Sequence, residues 1–240
     1  MPRAVLCLPT YNERENLELM IAALGEALDT SQDRVLVIDD GSPDGTGEIA
    51  DRLASEHSWV SVLHRTTKEG IGPAYVAGFR QALVEGAELV LEMDCDFSHN
   101  PADVPRLIAA AESADLVLGS RYAPGGGTAN WGLVRRVVSR GGCLYAQVIL
   151  GMRVRDLTGG FKCFRRPTLE TIDLDALSAH GYAFQIETTY RVKRAGLRIQ
   201  EVPITFVERR AGASKMTGSI VAEAMWKVPL LRLRALTGKL

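Results

Sequence analysis

The sequence of 240 residues has few cysteines, no long apolar run and no internal repeat. Its four cysteines are scattered and form no Cys-x-x-Cys pair. Because no signal peptide is recognisable either, we expect reduced thiols and a cytosolic protein. No apolar run approaches the ~20 residues that are needed to span a bilayer. What remains is a globular chain, whose 46% hydrophobic residues suffice for a sizeable core.

The charge is balanced over the whole chain but not within its halves. The formal net charge is −1, yet residues 1–120 carry 8 Lys and Arg against 21 Asp and Glu, a net −13. Residues 121–240 carry 20 against 8, a net +12. This polarity predicts that the first half meets cations and the second half meets anions, although two solvated surfaces of opposite sign would look the same.

Strand and helix patterns alternate along the first half. Buried strands are predicted for the segments RAVLCL, RVLVID, VSVLHR, ELVLEMD and ADLVLGS. Helical patterns separate them, and Asn100 with Pro101 marks the start of one helix. This alternation predicts a mostly parallel sheet flanked by helices. Ligands of such sheets bind beyond the carboxyl ends of the strands, so the polar residues that follow the strands should share one crevice.

The second half is less regular. Residues 123–132, APGGGTANWG, are so rich in glycine that we expect a mobile loop, and they lack the GxGxxG spacing of dinucleotide-binding folds. The segment RIQEVPITFVERR is predicted to be an edge strand, because Pro203 cannot donate to a sheet ladder. We expect one domain over residues 1–218 and an amphipathic helical tail over residues 219–240, interrupted at Pro229.

Asp94 ends the strand pattern ELVLEMD, and Asp96 follows two residues later. In an extended segment their side chains would point the same way, with Cys95 opposite. Two carboxylates in one crevice suit Mg²⁺ or Mn²⁺, which proteins often hold while substrate phosphates complete the shell. A solvated turn is the alternative. Asp39 and Asp40 end a second strand, and their carboxylates could accept hydrogen bonds from a ribose or a base; an Asx turn and a helix cap are the alternative.

Seven segments follow one another in a characteristic order: PTYNERENL, VIDDGSPDGT, GPAYVAGF, MDCDFSHNP, LVLGSRY, TGGFKCF and RRAGASKM. Together they resemble polyprenol-phosphate (dolichyl-phosphate type) mannosyltransferases, which are inverting family 2 glycosyltransferases with the GT-A fold. The resemblance extends over about residues 3–220. It implies an α/β fold of GT-A type, a Mg²⁺ or Mn²⁺ cofactor, and transfer of mannose from GDP-mannose to a polyprenyl phosphate with inversion.

The resemblance also implies roles for single residues. The nucleotide-sugar site would consist of Pro9, Tyr11, Glu13, Ile38, Asp40, Asp94, Cys95, Asp96, Arg209 and Lys215, with Cys95 contributing its backbone. Asp94 and Asp96 would hold the metal, and Arg209 and Lys215 would close over the donor diphosphate. Arg121 and Arg135 would clamp the acceptor phosphate. The predicted catalytic residues are thus Asp96, Arg121, Arg135 and Lys215. The role of Ser98 stays open, and His99 is expected to be a cap or a neighbour of the metal ligands.

No carboxylate or histidine is clearly dedicated to deprotonation, and none is required, because a phosphate monoester is already an anion at neutral pH. Two other functions stay open: a UDP-glucose-dependent polyprenyl-phosphate glucosyltransferase, and a non-catalytic, membrane-associated module that binds nucleotide sugars. A phosphatase of the haloacid dehalogenase type also carries a DxD after a strand. That class needs a downstream Gly-Asp motif, which the chain lacks.

The tail, SIVAEAMWKVPLLRLRALTGKL, combines apolar residues at helical spacing with cations and Trp226, a residue type that suits a membrane–water interface. A prenyl chain is held in the bilayer by ~0.8 kcal/mol per buried CH₂, so the enzyme must come to the membrane. We therefore expect a cytoplasmic protein, peripheral at the cytosolic face of the membrane. The same apolar face could instead pack on the domain or on a partner. A separate membrane anchor protein is a further candidate partner, and nucleic acid is not expected.

Overall fold

The computed structural model describes residues 1–177, 181–208, 218–238 and 240. The strands are β1 (Ala4–Thr10), β2 (Asp33–Asp39), β3 (Val60–His64), β4 (Leu89–Glu92), β5 (Leu116–Ser120), β6 (Gly127–Ala129), β7 (Lys162–Arg165), β8 (Ile199–Pro203) and β9 (Thr205–Val207). The helices are α1 (Leu17–Ala27), α2 (Thr46–Glu56), α3 (Ile71–Val84), α4 (Val104–Ala110), α5 (Leu133–Leu150), α6 (Arg166–Thr171), α7 (Gly181–Arg194) and α8 (Gly218–Leu236). Asn100 caps the short 3-10 turn before α4 by accepting from the Ala102 amide, as predicted.

One seven-stranded sheet has the order β3-β2-β1-β4-β7-β5-β8. Its strands run parallel except β7, which is antiparallel to both β4 and β5. The predicted mostly parallel sheet is therefore confirmed, and so is the edge position of β8. The glycine-rich segment departs from the expected mobile loop, since β6 lies within it and pairs with β9 in a separate ribbon. Its glycines permit close packing: a Cβ at Gly126 would collide with the carbonyl oxygen of Ser120.

Helices cover both faces of the sheet, as expected for an α/β fold. Side chains alternate along β1, so Leu6 and Leu8 pack with α1, α2 and α4, whereas Val5 and Cys7 pack with α3, α6 and α7. Because the strands are covered on both faces, their sequences read as nearly continuous apolar runs. The carboxyl ends of the strands are left as the uncovered edge on which polar residues collect.

The helix α8 is continuous through Pro229, so the predicted interruption is wrong. Proline cannot donate to the Met225 carbonyl four residues earlier. The hydroxyl of Tyr145 on α5 donates to this carbonyl at 2.9 Å, so the acceptor remains paired. One stripe of α8, formed by Val228, Leu231 and Ala235, is buried against α5 and α7. This is the arrangement expected if the apolar face of the tail packs on the domain. The boundary at residue 218 between domain and tail stays a prediction.

Candidate active site

Three strand ends lie side by side at one edge of the sheet. The strands β2, β1 and β4 are neighbours and run parallel, so the residues that follow them meet. The Asp40 amide donates to the Thr10 carbonyl at 3.1 Å, and the Met93 amide donates to the Cys7 carbonyl at 3.3 Å. The structure therefore brings these strand ends together, as the sequence predicted, and the crevice between them stays a prediction.

The loop after β1 is tied to the loop after β2 by three hydrogen bonds from backbone amides. Asn12 donates to Ser42 Oγ at 3.1 Å, Glu13 to Thr46 Oγ1 at 3.0 Å, and Arg14 to Asp44 Oδ2 at 3.3 Å. Both loops are thereby held together as one wall beside the strand ends. The predicted nucleotide-site residues of this wall are all partly exposed, namely Pro9, Tyr11 and Glu13.

Asp39 and Asp40 have different surroundings. The carboxylate of Asp39 accepts from the Ser42 hydroxyl at 2.6 Å and from the Ser42 amide at 3.1 Å, so it shapes the turn. Asp40 Oδ1 instead accepts from Arg65 Nη1 at 2.5 Å. Burial raises the pKa of Asp40, and the charge of Arg65 opposes that rise. The side chain of Ile38 is fully buried in the core below α3, so only its backbone is left for the predicted nucleotide site.

The segment after β3 brings two cations to the same wall, and sequence reasoning missed both. Arg65 binds Asp40 and also donates to Glu69 Oε2 at 2.5 Å. The ammonium of Lys68 lies 3.7 Å from the centre of the Tyr11 ring. A signal was present in the sequence, because the segment HRTTKEG follows a strand next to β2. Applying the rule on strand ends to this strand as well would have included Arg65 and Lys68.

The Asp94–Asp96 segment lies on a bend beyond the end of β4. β4 ends at Glu92, so strand geometry stops before this segment; Phe97, which follows it, has φ +60°, a left-handed conformation that bulky residues rarely adopt. Strand alternation therefore does not extend to Asp94 and Asp96, and the prediction that both carboxylates face one side stays a prediction. Asp94 is half-buried, while Asp96 and Cys95 are buried. Asp96 Oδ1 accepts from the Ser98 amide at 3.0 Å, which holds this carboxylate in place.

The two carboxylates of this bend suit a cation whose coordination shell is completed by oxygens of a substrate. Among the residues that the structure describes, no group of three or more His, Cys, Asp and Glu side chains is arranged to hold a metal. Two carboxylates at a strand end are nevertheless the usual protein contribution to Mg²⁺ when phosphates supply the remaining oxygens. Asp94 and Asp96 therefore fit such an ion.

Arg121, predicted as an acceptor clamp, is not a surface charge but is 6% exposed. Its Nε donates to Asp156 Oδ2 at 2.7 Å, and its Nη2 donates to Asp156 Oδ1 at 2.5 Å and to Thr158 Oγ1 at 2.8 Å. The Arg121 guanidinium lowers the pKa of Asp156 although burial acts in the opposite direction. Asp156 is a further functional candidate that sequence reasoning missed.

Arg135 lies close to Arg121 in space because both contact one indole. The guanidinium carbons of Arg121 and Arg135 lie 5.5 Å and 4.2 Å from the centre of the Trp131 ring. Nη1 of Arg135 also donates to Glu208 at 2.9 Å. The structure therefore brings the two predicted acceptor arginines together, 14 residues apart in sequence. Arg209 and Lys215 lie outside the described residues.

His99 lies between the bend at Asp96 and the arginine cluster, which is formed by Arg121 and Arg135 around Trp131. Its ring centre lies 5.1 Å from that of Phe161 and 5.1 Å from that of Phe206. Burial lowers the pKa of His99 to about 4; the charge of Asp96 opposes this shift and that of Arg121 adds to it. His99 is therefore neutral at neutral pH. It also lines an open cavity of about 680 Å³, together with Phe97, Glu208 and Arg106 on α4.

We expect the free energy of unfolding to fall as the pH is lowered from about 6.5 towards 4, partly through His99. The unfolded chain takes up a proton on His99 near the ordinary pKa of 6.5, whereas the folded chain does so only near 4. Protonation in this window thus favours unfolding. His99→Phe keeps the ring stack but removes the titration, so urea unfolding at several pH values should show a shallower loss. Parallel curves for both proteins would contradict this.

Comparison with known proteins identifies the family. Residues 5–173 match the model of glycosyl transferase family 2. The chain belongs to glycosyl transferase family 2. This family 2 glycosyltransferase is 51% identical over 226 residues to undecaprenyl-phosphate mannosyltransferase of Micrococcus luteus, covering 94% of this chain and 92% of that protein. It is 48% identical over 228 residues to polyprenol monophosphomannose synthase of Mycolicibacterium smegmatis, covering 94% and 85%.

Solved structures agree with this assignment at the level of the fold. Glucosyl-3-phosphoglycerate synthase from Mycobacterium tuberculosis, in complex with Mn²⁺, uridine diphosphate and phosphoglyceric acid, superposes with a TM-score of 0.71. The identity is 22%, and the match covers 96% of this chain and 78% of that one. The same synthase with Mg²⁺ and uridine diphosphate gives a TM-score of 0.67 at 22% identity, over 99% and 80%. The GT-A type of fold that the resemblance implied is confirmed.

Proposed function

We propose that this family 2 glycosyltransferase moves mannose from GDP-mannose to a polyprenyl phosphate, with inversion, and releases GDP. The observation that carries the proposal is the pair of relatives near 50% identity, whose names state mannosyl transfer involving undecaprenyl phosphate and synthesis of polyprenol monophosphomannose. Each match covers 94% of this chain, so it includes both the acidic strand ends and the arginine cluster.

The edge of the sheet that carries Asp40, Asp94 and Asp96 is the proposed donor site. Asp40 is buried and held in one orientation by Arg65, so it is ready to accept hydrogen bonds from the nucleoside. Tyr11 offers a ring and Glu13 a second carboxylate on the same wall. Lys68, above Tyr11, supplies a cation close to where an anionic nucleotide would lie. The proposal adds Arg65 and Lys68 to the donor residues that the sequence predicted.

A divalent cation, Mg²⁺ or Mn²⁺, is the proposed cofactor. Asp94 and Asp96 would hold it, and when bound it neutralises the charge on the diphosphate leaving group. Arg209 and Lys215 are proposed to face the same diphosphate. A divalent cation offsets the mutual repulsion between the two carboxylates. Binding of such a cation accounts for an acidic pair at a partly buried bend.

The arginine cluster is the proposed acceptor site. Arg121 and Arg135 would bind the phosphate of the lipid and hold it against repulsion from the donor diphosphate. An acceptor phosphate oxygen forms a bond to the anomeric carbon on one side while the bond from that carbon to the diphosphate oxygen breaks on the other. No proton has to be removed, because the phosphate monoester is already ionised. The acidic first half of the chain thus binds the cation, and the basic second half binds the acceptor phosphate and the donor diphosphate.

A donor panel tests this function. Purified protein is given GDP-mannose or UDP-glucose, with and without citronellyl phosphate as a short acceptor, and with Mg²⁺, Mn²⁺ or excess EDTA. We expect GDP release and lipid-linked mannose only when GDP-mannose, acceptor and metal are all present. A preference for UDP-glucose would identify the glucosyltransferase alternative. Binding of nucleotide sugar without any turnover would identify the non-catalytic module.

We further propose that the protein attaches reversibly to the cytosolic surface of the membrane, alone or beside an anchor protein. In the part of the chain that the structure describes, no helix is both long and apolar enough to cross a bilayer. The helices α5 and α8 pack together, and both expose large apolar side chains; these are Leu133, Val134, Val137, Val138, Leu144, Val148, Met225, Trp226, Leu230, Leu233 and Leu236. Exposed Arg136 and Arg140 lie within the same stretch of α5 and suit anionic headgroups.

We expect Val134→Asp combined with Val138→Asp to weaken binding to vesicles of phosphatidylcholine and phosphatidylglycerol. These valines lie one turn apart on α5, and two added carboxylates oppose both burial in lipid and attraction to anionic headgroups. Val84→Asp at the end of α3 is the matched control, since Val84 is 83% exposed against 77% for Val134. Co-sedimentation at low and high salt measures the effect. Equal loss of binding in the control, or none in the double variant, would place the membrane contact elsewhere.

A further inference from the structure

The loop between α5 and β7 places one carboxylate on three donors of a single arginine. Asp156 is fully buried, and its oxygens accept from the backbone amide of Arg121 at 2.9 Å, from Nε at 2.7 Å and from Nη2 at 2.5 Å. Such a bidentate pair fixes the plane of the guanidinium as well as its position. Among the described residues, the hydrogen bonds of this guanidinium use Nε and Nη2, which leaves Nη1 for a further anion.

Asp156 is itself held from behind. Glu201 on β8 accepts from the Asp156 amide at 3.1 Å and from the Arg155 amide at 3.0 Å. The same Glu201 accepts from the hydroxyl of Ser120, the residue before Arg121, at 2.7 Å. Glu201 therefore anchors both partners of the Arg121–Asp156 contact. It binds Asp156 through the amide of that residue, and Arg121 through the preceding Ser120. This arrangement leaves Arg121 little freedom to move relative to the sheet.

We propose that Asp156 is a positioning residue that aims Arg121 at the acceptor phosphate. The inference rests on the proposed function, since it takes Arg121 as a contact of that phosphate. A free arginine loses rotamer freedom when it binds an anion, whereas Arg121 is already ordered by Asp156 and by Thr158. Preorganisation of this kind lowers the cost of binding and keeps the phosphate oxygen in line with the anomeric carbon.

The direction in which the acceptor KM changes distinguishes positioning by Asp156 from a simple electrostatic effect. Asp156 is an anion beside a site for another anion, so removing its charge alone would strengthen phosphate binding. Loss of positioning acts in the opposite direction. If Asp156 aims Arg121, Asp156→Asn therefore raises the KM for the acceptor and lowers kcat in spite of the more favourable charge.

The experiment measures KM and kcat for citronellyl phosphate, and its binding by calorimetry, in Asp156→Asn, Asp156→Glu and Thr158→Val. We expect Asp156→Asn to lose about 10- to 100-fold in kcat/KM for the acceptor, with unchanged affinity for GDP-mannose and partial recovery in Asp156→Glu. In an Arg121→Ala background, Asp156→Asn should cause no further loss, because it acts through Arg121. Thr158→Val removes one bond to Nη2 without leaving a buried charge, so it reports on positioning even if Asp156→Asn does not fold.

Asp33→Asn is the matched control. Asp33 forms the same bidentate pair with Arg3, at 2.9 Å and 2.6 Å, at the opposite end of the sheet. It should lose stability while the acceptor KM stays unchanged. A lowered or unchanged acceptor KM in folded Asp156→Asn and Thr158→Val, or additive losses with Arg121→Ala, would overturn the inference. If Arg121→Ala itself binds citronellyl phosphate normally, the acceptor site of the proposed function is wrong instead.

Discussion

Replacing Asp96 by Asn is expected to lower the rate of mannose transfer by about 100- to 1,000-fold, since one lost metal ligand costs about 3–4 kcal/mol of transition-state stabilisation. The fold should survive, because Asn retains an oxygen that can accept from the Ser98 amide as Asp96 does now. What disappears is the charge that the proposed cation needs at this bend. Initial rates with GDP-mannose and citronellyl phosphate at saturating Mg²⁺ or Mn²⁺ measure the effect, and circular dichroism checks the fold.

Asp51→Asn serves as the matched control for Asp96→Asn. Asp51 lies on α2, is exposed and contacts His64, so its loss should leave the rate unchanged. Excess EDTA should reduce the activity of the wild-type protein to a level similar to that of Asp96→Asn. Near wild-type activity of a folded Asp96→Asn protein, or full wild-type activity in EDTA, would remove the metal from the proposed mechanism.

The second large effect is expected at a buried ion pair beneath the site. Lys162 on β7 and Glu92 at the end of β4 are both fully buried, with Nζ and Oε1 3.2 Å apart. Burial lowers the pKa of Lys162 and raises that of Glu92, and each charge counteracts the shift of the other. Lys162→Met leaves the carboxylate without its partner, so we expect a loss of about 3–5 kcal/mol in the free energy of unfolding.

Urea unfolding at neutral pH measures this loss, and a double variant tests its cause. Combining Lys162→Met with Glu92→Leu removes both charges, so most of the stability should return. Arg52→Met is the control, since Arg52 pairs with Glu18 and Glu56 in solvent and should matter little. If the double variant is as unstable as Lys162→Met, the pair contributes through packing and through the bonds of Lys162 to Gln185 and Thr188.

Much of the site follows from local patterns that survive folding. Apolar runs that end in Asp39-Asp40 and Asp94-Cys95-Asp96 identify strand ends, and parallel neighbours bring such ends to one edge. The order of seven short segments led to the family, which the match over residues 5–173 confirms. The roles of the metal ligands and of the two acceptor arginines stay predictions, although Arg121 and Arg135 do meet at Trp131.

The errors have one physical origin, because each depends on contacts between distant segments. Pairing with β9 converts part of a glycine-rich segment into β6. The hydroxyl of Tyr145, from another helix, replaces the donor that Pro229 lacks. Local propensity contains none of this information.

By itself, the sequence determined the alternation of strands and helices, the acidic strand ends and the family, since these depend on residue type and short spacing. Only the tertiary structure decided which charged groups meet. Arg65 on Asp40, Asp156 on Arg121, and Lys162 on Glu92 are 25, 35 and 70 residues apart in sequence. The reason is that a side-chain ion pair needs contact within about 4 Å, and across such separations the order of strands in the sheet, not the sequence spacing, sets the distance.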